Sequence, residues 1–166
     1  PEKLLWMNAQ SIARMPAEEL LARSASFATA GLPPAPVALA AIELHRTRAR
    51  TTIEMGRALS SYAADPDEYD PDGMKKQVKP DTAAQLEKLT ARLDSVEDWT
   101  PAPLENALRE SAAEQGISAG KLIHPTRLAL TGTTVGAPLF DVVALLGKET
   151  ALRRLRKFLG RIKAVP

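Results

Sequence analysis

There is no cysteine among the 166 residues. Disulfides, thiolate zinc sites and cysteine nucleophiles are therefore excluded. Aromatic residues make up only 4% of the chain while apolar residues reach 45%, so the core must be aliphatic, built on Leu, Ala, Val and Ile. No apolar run approaches the roughly 20 residues of a membrane-spanning helix, and no secretory signal opens the chain. A cytoplasmic protein without a membrane partner is expected. The two histidines, His45 and His124, have no carboxylate or cysteine at metal-ligand spacing, and each reads as structural. Gly132 and Gly136 bracket Thr133-Thr134-Val135, but no strand precedes them and neither phosphate-binding glycine motif occurs. No serine sits in a nucleophile elbow. Glu18-Glu19 and Asp67-Glu68 read as a helix first turn and a loop. No acid, base and electrophile come together, so no catalysis, cofactor or metal is expected in this chain by itself. The net charge is +2 and the pI near 9.1. That mild surplus is compatible with an anionic partner without demanding one.

What is present is helical periodicity. Period-two alternation is absent and β-branched clusters are scarce, which predicts an all-α fold. Pro16 stands at a first helical position before Glu18-Glu19, whose charges suit a helix start; this helix should stop at Gly31. Asn8 is a candidate cap for a short helix to Arg14, and Trp6 should pack. Leu32-Pro33-Pro34-Ala35-Pro36 reads as a stiff connector. A helix is expected from Val37 to about Arg50, and another from Thr52 to Ala63. The acidic, proline-rich tract Asp65 to Gly73 reads as an irregular loop between two helical subdomains, 1–72 and 73–166. Beyond it, Leu86, Leu89, Leu93 and Val96 share one helical face. Thr100-Pro101 starts the next helix, which Gly116 ends. Pro138 opens a helix to Leu146, and Gly147 separates it from a last helix, Lys148 to about Ile162. On that helix Leu152, Leu155, Leu159 and Ile162 form a stripe. Arg153, Arg154, Arg156, Lys157 and Arg161 lie around it as a solvated face.

Two places stand out as candidate sites. At 100° per residue, Arg48 falls opposite the stripe of Leu39, Ile42, Ala49 and Ile53, whereas Arg46 and Arg50 fall near it. Arg48 either reaches a partner outside the fold or belongs to a basic, solvated helix end, favourable at the negative pole of the helix dipole. The second place is His124 to Glu149, the densest apolar region. There Arg127 adjoins Leu128-Ala129-Leu130, and an arginine buried without a partner is costly. Gly132, Gly136 and Pro138 then interrupt the helix period. This is either a recognition loop around a cation and several hydroxyls, or a loop shaped by packing alone.

Several blocks occur in a fixed order: Lys3-Leu4-x-Trp6-Met7-Asn8, Glu43-Leu44-x-Arg46-x-Arg48, Trp99-Thr100, and Gly120-Lys121-Leu122-x-x-Pro125-x-Arg127-x-Ala129-Leu130-Thr131-Gly132. They are followed by Pro138-Leu139-Phe140-Asp141, Leu146-Gly147-Lys148-Glu149 and Arg154-Leu155. Together they resemble the C-terminal anticodon-binding region of bacterial-type glutamyl-tRNA synthetases, over nearly the whole chain. The resemblance implies a multihelical, all-α domain of two small bundles that recognises the anticodon loop of tRNA(Glu), acts as a monomer, and works in cis with a catalytic domain lying N-terminal to Pro1. ATP and Mg would bind that absent domain, and this piece alone should be inactive as a ligase. Arg48 matches the arginine that reads the third anticodon base, which is C in glutamate tRNAs and G in glutamine tRNAs. Arginine there resembles the type of enzyme that charges only glutamate tRNA. Arg127 matches a second anticodon-loop contact, and Leu139 a position that packs or stacks against the loop. Gly136 falls where some relatives carry a base-contacting hydroxyl, for which Thr133 and Thr134 are nearby substitutes. Arg46 is implied as a phosphate partner. Two other roles remain open: a free-standing helical tRNA-binding module acting in trans, and a helical protein–protein adaptor.

Overall fold

The computed structural model describes residues 2–164. Among these there are ten α-helices, one short 3₁₀ turn and no strand, as the all-α expectation requires. The helices fall into two compact units, residues 1–65 and 66–166.

The first unit contains α1 (Glu2–Arg14), α2 (Ala17–Ser24), a 3₁₀ turn (Ala25–Phe27), α3 (Ala35–His45) and α4 (Thr52–Ala63). Its interior is made by Ile12, Leu20, Ala38, Ala41, Ile42, Met55, Leu59 and Tyr62. Each large aliphatic side chain taken fully from water contributes roughly 1.5–3 kcal/mol. Four expectations change here. The helix expected to stop at Gly31 ends at Ser24, where the chain tightens into the 3₁₀ turn. α1 starts well before Asn8, so Asn8 lies inside the helix and caps nothing; its amide instead donates to the carbonyl of Arg50. α1 buries only Ile12, so Trp6 does not pack and is 64% exposed, with Leu4 and Met7 exposed beside it. α3 stops at His45, and residues 46–48 form a turn instead of continuing to Arg50. α4 keeps its expected limits because Thr51 caps it, the hydroxyl accepting from the Glu54 N–H at 3.0 Å. His45 is structural as read: Nε2 lies 2.9 Å from the Tyr62 hydroxyl.

The second unit contains α5 (Pro71–Gln77), α6 (Thr82–Asp94), α7 (Pro101–Glu114), α8 (Gly120–Thr131), α9 (Leu139–Leu146) and α10 (Lys148–Lys163). Leu86, Leu89 and Leu93 of α6 meet Leu104 and Leu108 of α7, Leu122 and Leu128 of α8, Val143 of α9, and Leu155 and Phe158 of α10 in one core. Arg92 links α6 to α7 by pairing with Glu110 at 2.7 Å and with Glu114. Those carboxylates, Glu114 first through its hydrogen bond, raise the guanidinium pKa above its ordinary value. Trp99 is held by its indole N–H, which donates to the Val143 carbonyl at 3.0 Å.

The tract read as an irregular linker contains α5. Asp70 is its N-cap, accepting from the Gly73 N–H at 3.1 Å, and Pro71 occupies the first turn. Residues 66–72 accordingly pack with the second unit, so the compact units divide at 65/66, ahead of the expected 72/73. Arg154 also departs from expectation. It does not belong to the solvated face of α10 but is 1% exposed, the largest fully buried side chain in the protein's described part. The cause is that α10 packs against α6, α8 and α9 together, which buries an arc wider than the leucine stripe. His124, read as structural in an apolar turn, is exposed on α8.

Candidate nucleic-acid interface

In the first unit the candidate site is the turn between α3 and α4. The Arg48 N–H donates to the His45 carbonyl at 2.9 Å, closing the turn. Its far end is fixed twice. The Arg50 N–H donates to the Glu54 carboxylate at 2.7 Å, and the Arg50 carbonyl accepts from Asn8. Ala49 between them is buried. The backbone carrying Arg48 is therefore anchored on α1, α3 and α4, while the Arg48 side chain is exposed and makes no ion pair among the described residues. The helical periodicity that pointed Arg48 outward does not operate, since the helix has already ended; the turn exposes it by a different route. Arg46 differs. It is half-buried and paired with Glu43 at 2.6 Å, while its Nε is buried with no hydrogen-bond partner. A guanidinium so engaged is less available to a phosphate than that of Arg48.

In the second unit the candidate site is the loop 132–138, between α8 and α9. Gly132 ends α8 in the left-handed region at φ 75°, a geometry that favours glycine. It is also pressed against the connector: a Cβ there would stand 2.8 Å from the Glu68 carbonyl oxygen. The close approach at this glycine is to the protein's own connector. The Gly132 carbonyl accepts from the Asp70 N–H at 2.8 Å. Thr131 donates to the Arg127 carbonyl at 2.9 Å, and Thr133 to the Val135 carbonyl at 2.9 Å. Thr134 donates to the Asp70 carboxylate at 3.4 Å. Beneath the loop, the buried Arg154 donates to the carbonyl of Leu130 at 2.7 Å, meeting one of the carbonyls a helix end leaves without an intrahelical partner.

Arg127 is half-buried, and its Nη1 donates to the carbonyl of Ala137 at 2.6 Å. The awkward cation of the sequence is thus a brace across the loop. Gly136, at φ 153°, is exposed and lies against that guanidinium. Leu139 does not take the surface position implied for it. As the first residue of α9 it points into the core and is 4% exposed, so it offers no stacking face. The surface of the loop comes from Thr133, Val135 and Gly136, with Thr134 half-buried. Val135, bracketed with the threonines between the two glycines, is 78% exposed at the tip. Asp70 and Asn8, which hold the two sites in place, carried no sequence signal of that role.

Gly132→Ala should cost about 1–2 kcal/mol from the left-handed backbone alone, with more from the contact at Glu68. Urea unfolding followed by Trp99 fluorescence would measure it; an unchanged midpoint would mean that the loop base yields without cost.

A helical protein that offers an anchored, exposed arginine and a hydroxyl-rich loop has the elements of an RNA-reading domain. Residues 11–159 match the anticodon binding domain family, and the chain belongs to that family. Its curated relatives include glutamate–tRNA ligase 1 of Alkalilimnicola ehrlichii, 33% identical over an alignment of 159 positions that covers 94% of this chain and 34% of the relative. Glutamate–tRNA ligase of Roseiflexus castenholzii is 38% identical over an alignment of 174 positions, gaps included, that covers 99% of this chain and 34% of the relative. A crystal structure of a glutamate tRNA ligase from Elizabethkingia meningosepticum in complex with its amino acid superposes with a TM-score of 0.83 at 25% identity, over 97% of this chain and 32% of that one. The chain thus spans about a third of the length of these relatives.

Proposed function

We propose that this chain is the anticodon-recognising part of a glutamate–tRNA ligase and that it binds the anticodon loop of tRNA(Glu). The observation that carries the reading is Arg48: exposed, without an ion-pair partner, on a turn fixed from three helices. A guanidinium is a rigid, permanently charged fork of donors. Cytosine offers it a carbonyl oxygen and a ring nitrogen as acceptors. Guanine presents N–H donors on the same edge, and donor against donor is repulsive. Arg48 therefore favours C over G at the third anticodon position, the difference between glutamate and glutamine tRNAs. The loop 132–138 supplies a second surface through Thr133, Thr134, Val135 and the backbone at Gly136, with Arg127 holding its shape and adding positive charge beside it.

Glutamylation itself belongs to the remainder of the protein, where ATP and Mg would be bound. Among the described residues no helix is long and apolar enough to cross a membrane, and we place the complete protein in the cytoplasm as a monomer. With a net charge of only +2, affinity must come from local placement more than from a bulk field. The test is binding of this chain to two RNA hairpins that carry the glutamate anticodon loop and differ only in C or G at the third anticodon position. Tighter, salt-dependent binding of the C hairpin is expected. Equal binding of the two would remove base reading from the proposal.

A further inference from the structure

Some cations of the second unit are matched by carboxylates; others, Lys88 and Lys121 among them, are exposed without an ion-pair partner among the described residues. On α10, Arg156 pairs with Asp94 at 3.0 Å, Lys157 with Asp67 at 3.2 Å, and Lys163 with Glu87. Those charges are matched within the unit. On α5, Lys75 and Lys76 are both exposed, and neither has an ion-pair partner among the described residues.

What distinguishes α5 is its attachment. Its first turn is joined to the loop 132–138 by the Asp70 N–H, which donates to the Gly132 carbonyl at 2.8 Å. The Asp70 carboxylate accepts both from Gly73 and from Thr134. Gly73 is so close to the loop that a Cβ would stand 2.6 Å from Cγ2 of Thr134. The last turn is fixed as well, since the Lys79 ammonium donates to the Lys75 carbonyl at 2.9 Å. Lys76 follows Gly73 by three residues. It therefore lies about 60° around the helix from the face that touches Thr134, and about 4.5 Å along the axis from it, whereas Lys75 lies about 160° round from that face. Two uncompensated ammonium groups thus stand on a short rigid rod whose other end is bound to the loop.

We infer that Lys76, with Lys75 adjoining it on the outer side of α5, forms a phosphate-binding edge that takes the backbone of an RNA whose bases lie against residues 133–136. The inference rests on the RNA reading proposed above and adds a division of labour. Arg48 and the loop discriminate, whereas α5 contributes affinity without sequence information, as phosphate contacts do. The closing experiment measures binding of the C and G hairpins across a series of salt concentrations for three proteins: the unaltered chain, Lys75→Gln/Lys76→Gln, and Arg156→Gln/Lys163→Gln. All are checked for retained helicity by circular dichroism. The α5 double variant should weaken both hairpins by the same factor, leave the C-over-G ratio unchanged, and lower the slope of log K against log salt by about 1–2, as expected for two lost phosphate contacts on a single strand. The α10 double variant, which removes the same charge, should leave the slope unchanged. An unaltered slope in the α5 variant overturns the inference while leaving the RNA reading intact, and so does an equal drop in both variants. No binding of either hairpin by the unaltered chain overturns the RNA reading, and the inference with it.

Discussion

Replacing Arg48 with glutamine should lower the preference for C over G at the third anticodon position by about 1–3 kcal/mol, the range typical of one bidentate base contact. Glutamine keeps a donor but adds an acceptor, and its amide can turn to meet either base. The main change is therefore tolerance of G and not a uniform loss of binding. Arg50 is the control. It lies two residues away and is also exposed, and its backbone, more than its side chain, is tied down, through Glu54 and Asn8. Arg50→Gln removes the same charge and should leave the preference unchanged. The readout is the ratio of dissociation constants for the two hairpins at one salt concentration, because absolute affinities shift with any charge removed. A ratio that stays put in Arg48→Gln, or that falls equally in both variants, would take base reading away from Arg48.

The second large effect is on stability. Arg154→Ala should destabilise the second unit by about 2–5 kcal/mol, the range for truncating a large buried side chain to alanine. Two losses combine. The Leu130 carbonyl forfeits the donor that now stands 2.7 Å away, and a buried polar group left unmet costs roughly 1–3 kcal/mol. The aliphatic stem of the arginine is also removed from a site that is 1% exposed, leaving space that the neighbouring helices fill only in part. Arg156→Ala, one turn-half away on the exposed side of the same helix, should change stability by no more than about 0.5 kcal/mol. Urea unfolding read by Trp99 reports on this unit, because that indole is held there by Val143. Trp6, in the first unit, is already largely exposed and should contribute little change. A loss below about 1 kcal/mol for Arg154→Ala would show that the arginine is tolerated inside, not required there.

The regular parts of the second unit were legible because the local pattern and the tertiary arrangement agree. Leu86, Leu89 and Leu93 recur at helical spacing and all three are buried. The limits of α9 and α10 follow from Pro138 and Gly147, which break the backbone hydrogen-bond pattern whatever surrounds them. The helix α5 is hidden in the sequence because an acidic, proline-rich tract reads as a loop on composition. Yet Asp70-Pro71 is a capping residue followed by a first-turn proline, a local start signal that composition masked. Helix α3 was overextended because nothing between Arg46 and Arg50 breaks a helix by propensity. Its end is imposed by the turn that Asn8 and Glu54 hold from other helices.

The candidate sites divide along the same line. Residue types and their order brought out Arg48, Arg127 and the glycine-bracketed threonines as candidates, and it was the resemblance to an anticodon-binding region that pointed to RNA. Whether each side chain is offered to a partner was not in the pattern. Leu139 and Arg154 lie on helices whose periodicity says little about how many neighbours cover them, and both are buried where several helices meet. Arg127 became a brace because a carbonyl ten residues on, that of Ala137, returns to within 2.6 Å of it.

By itself the sequence determined the helical class, most helix limits and the chemistry on offer, since these depend on neighbours within a turn or two along the chain. Only the tertiary structure decided which cations face inward, which loop surface is open, and that Asp70 ties a supposed linker to that loop. Those outcomes depend on contacts between residues as much as 64 positions apart, and no local period encodes them.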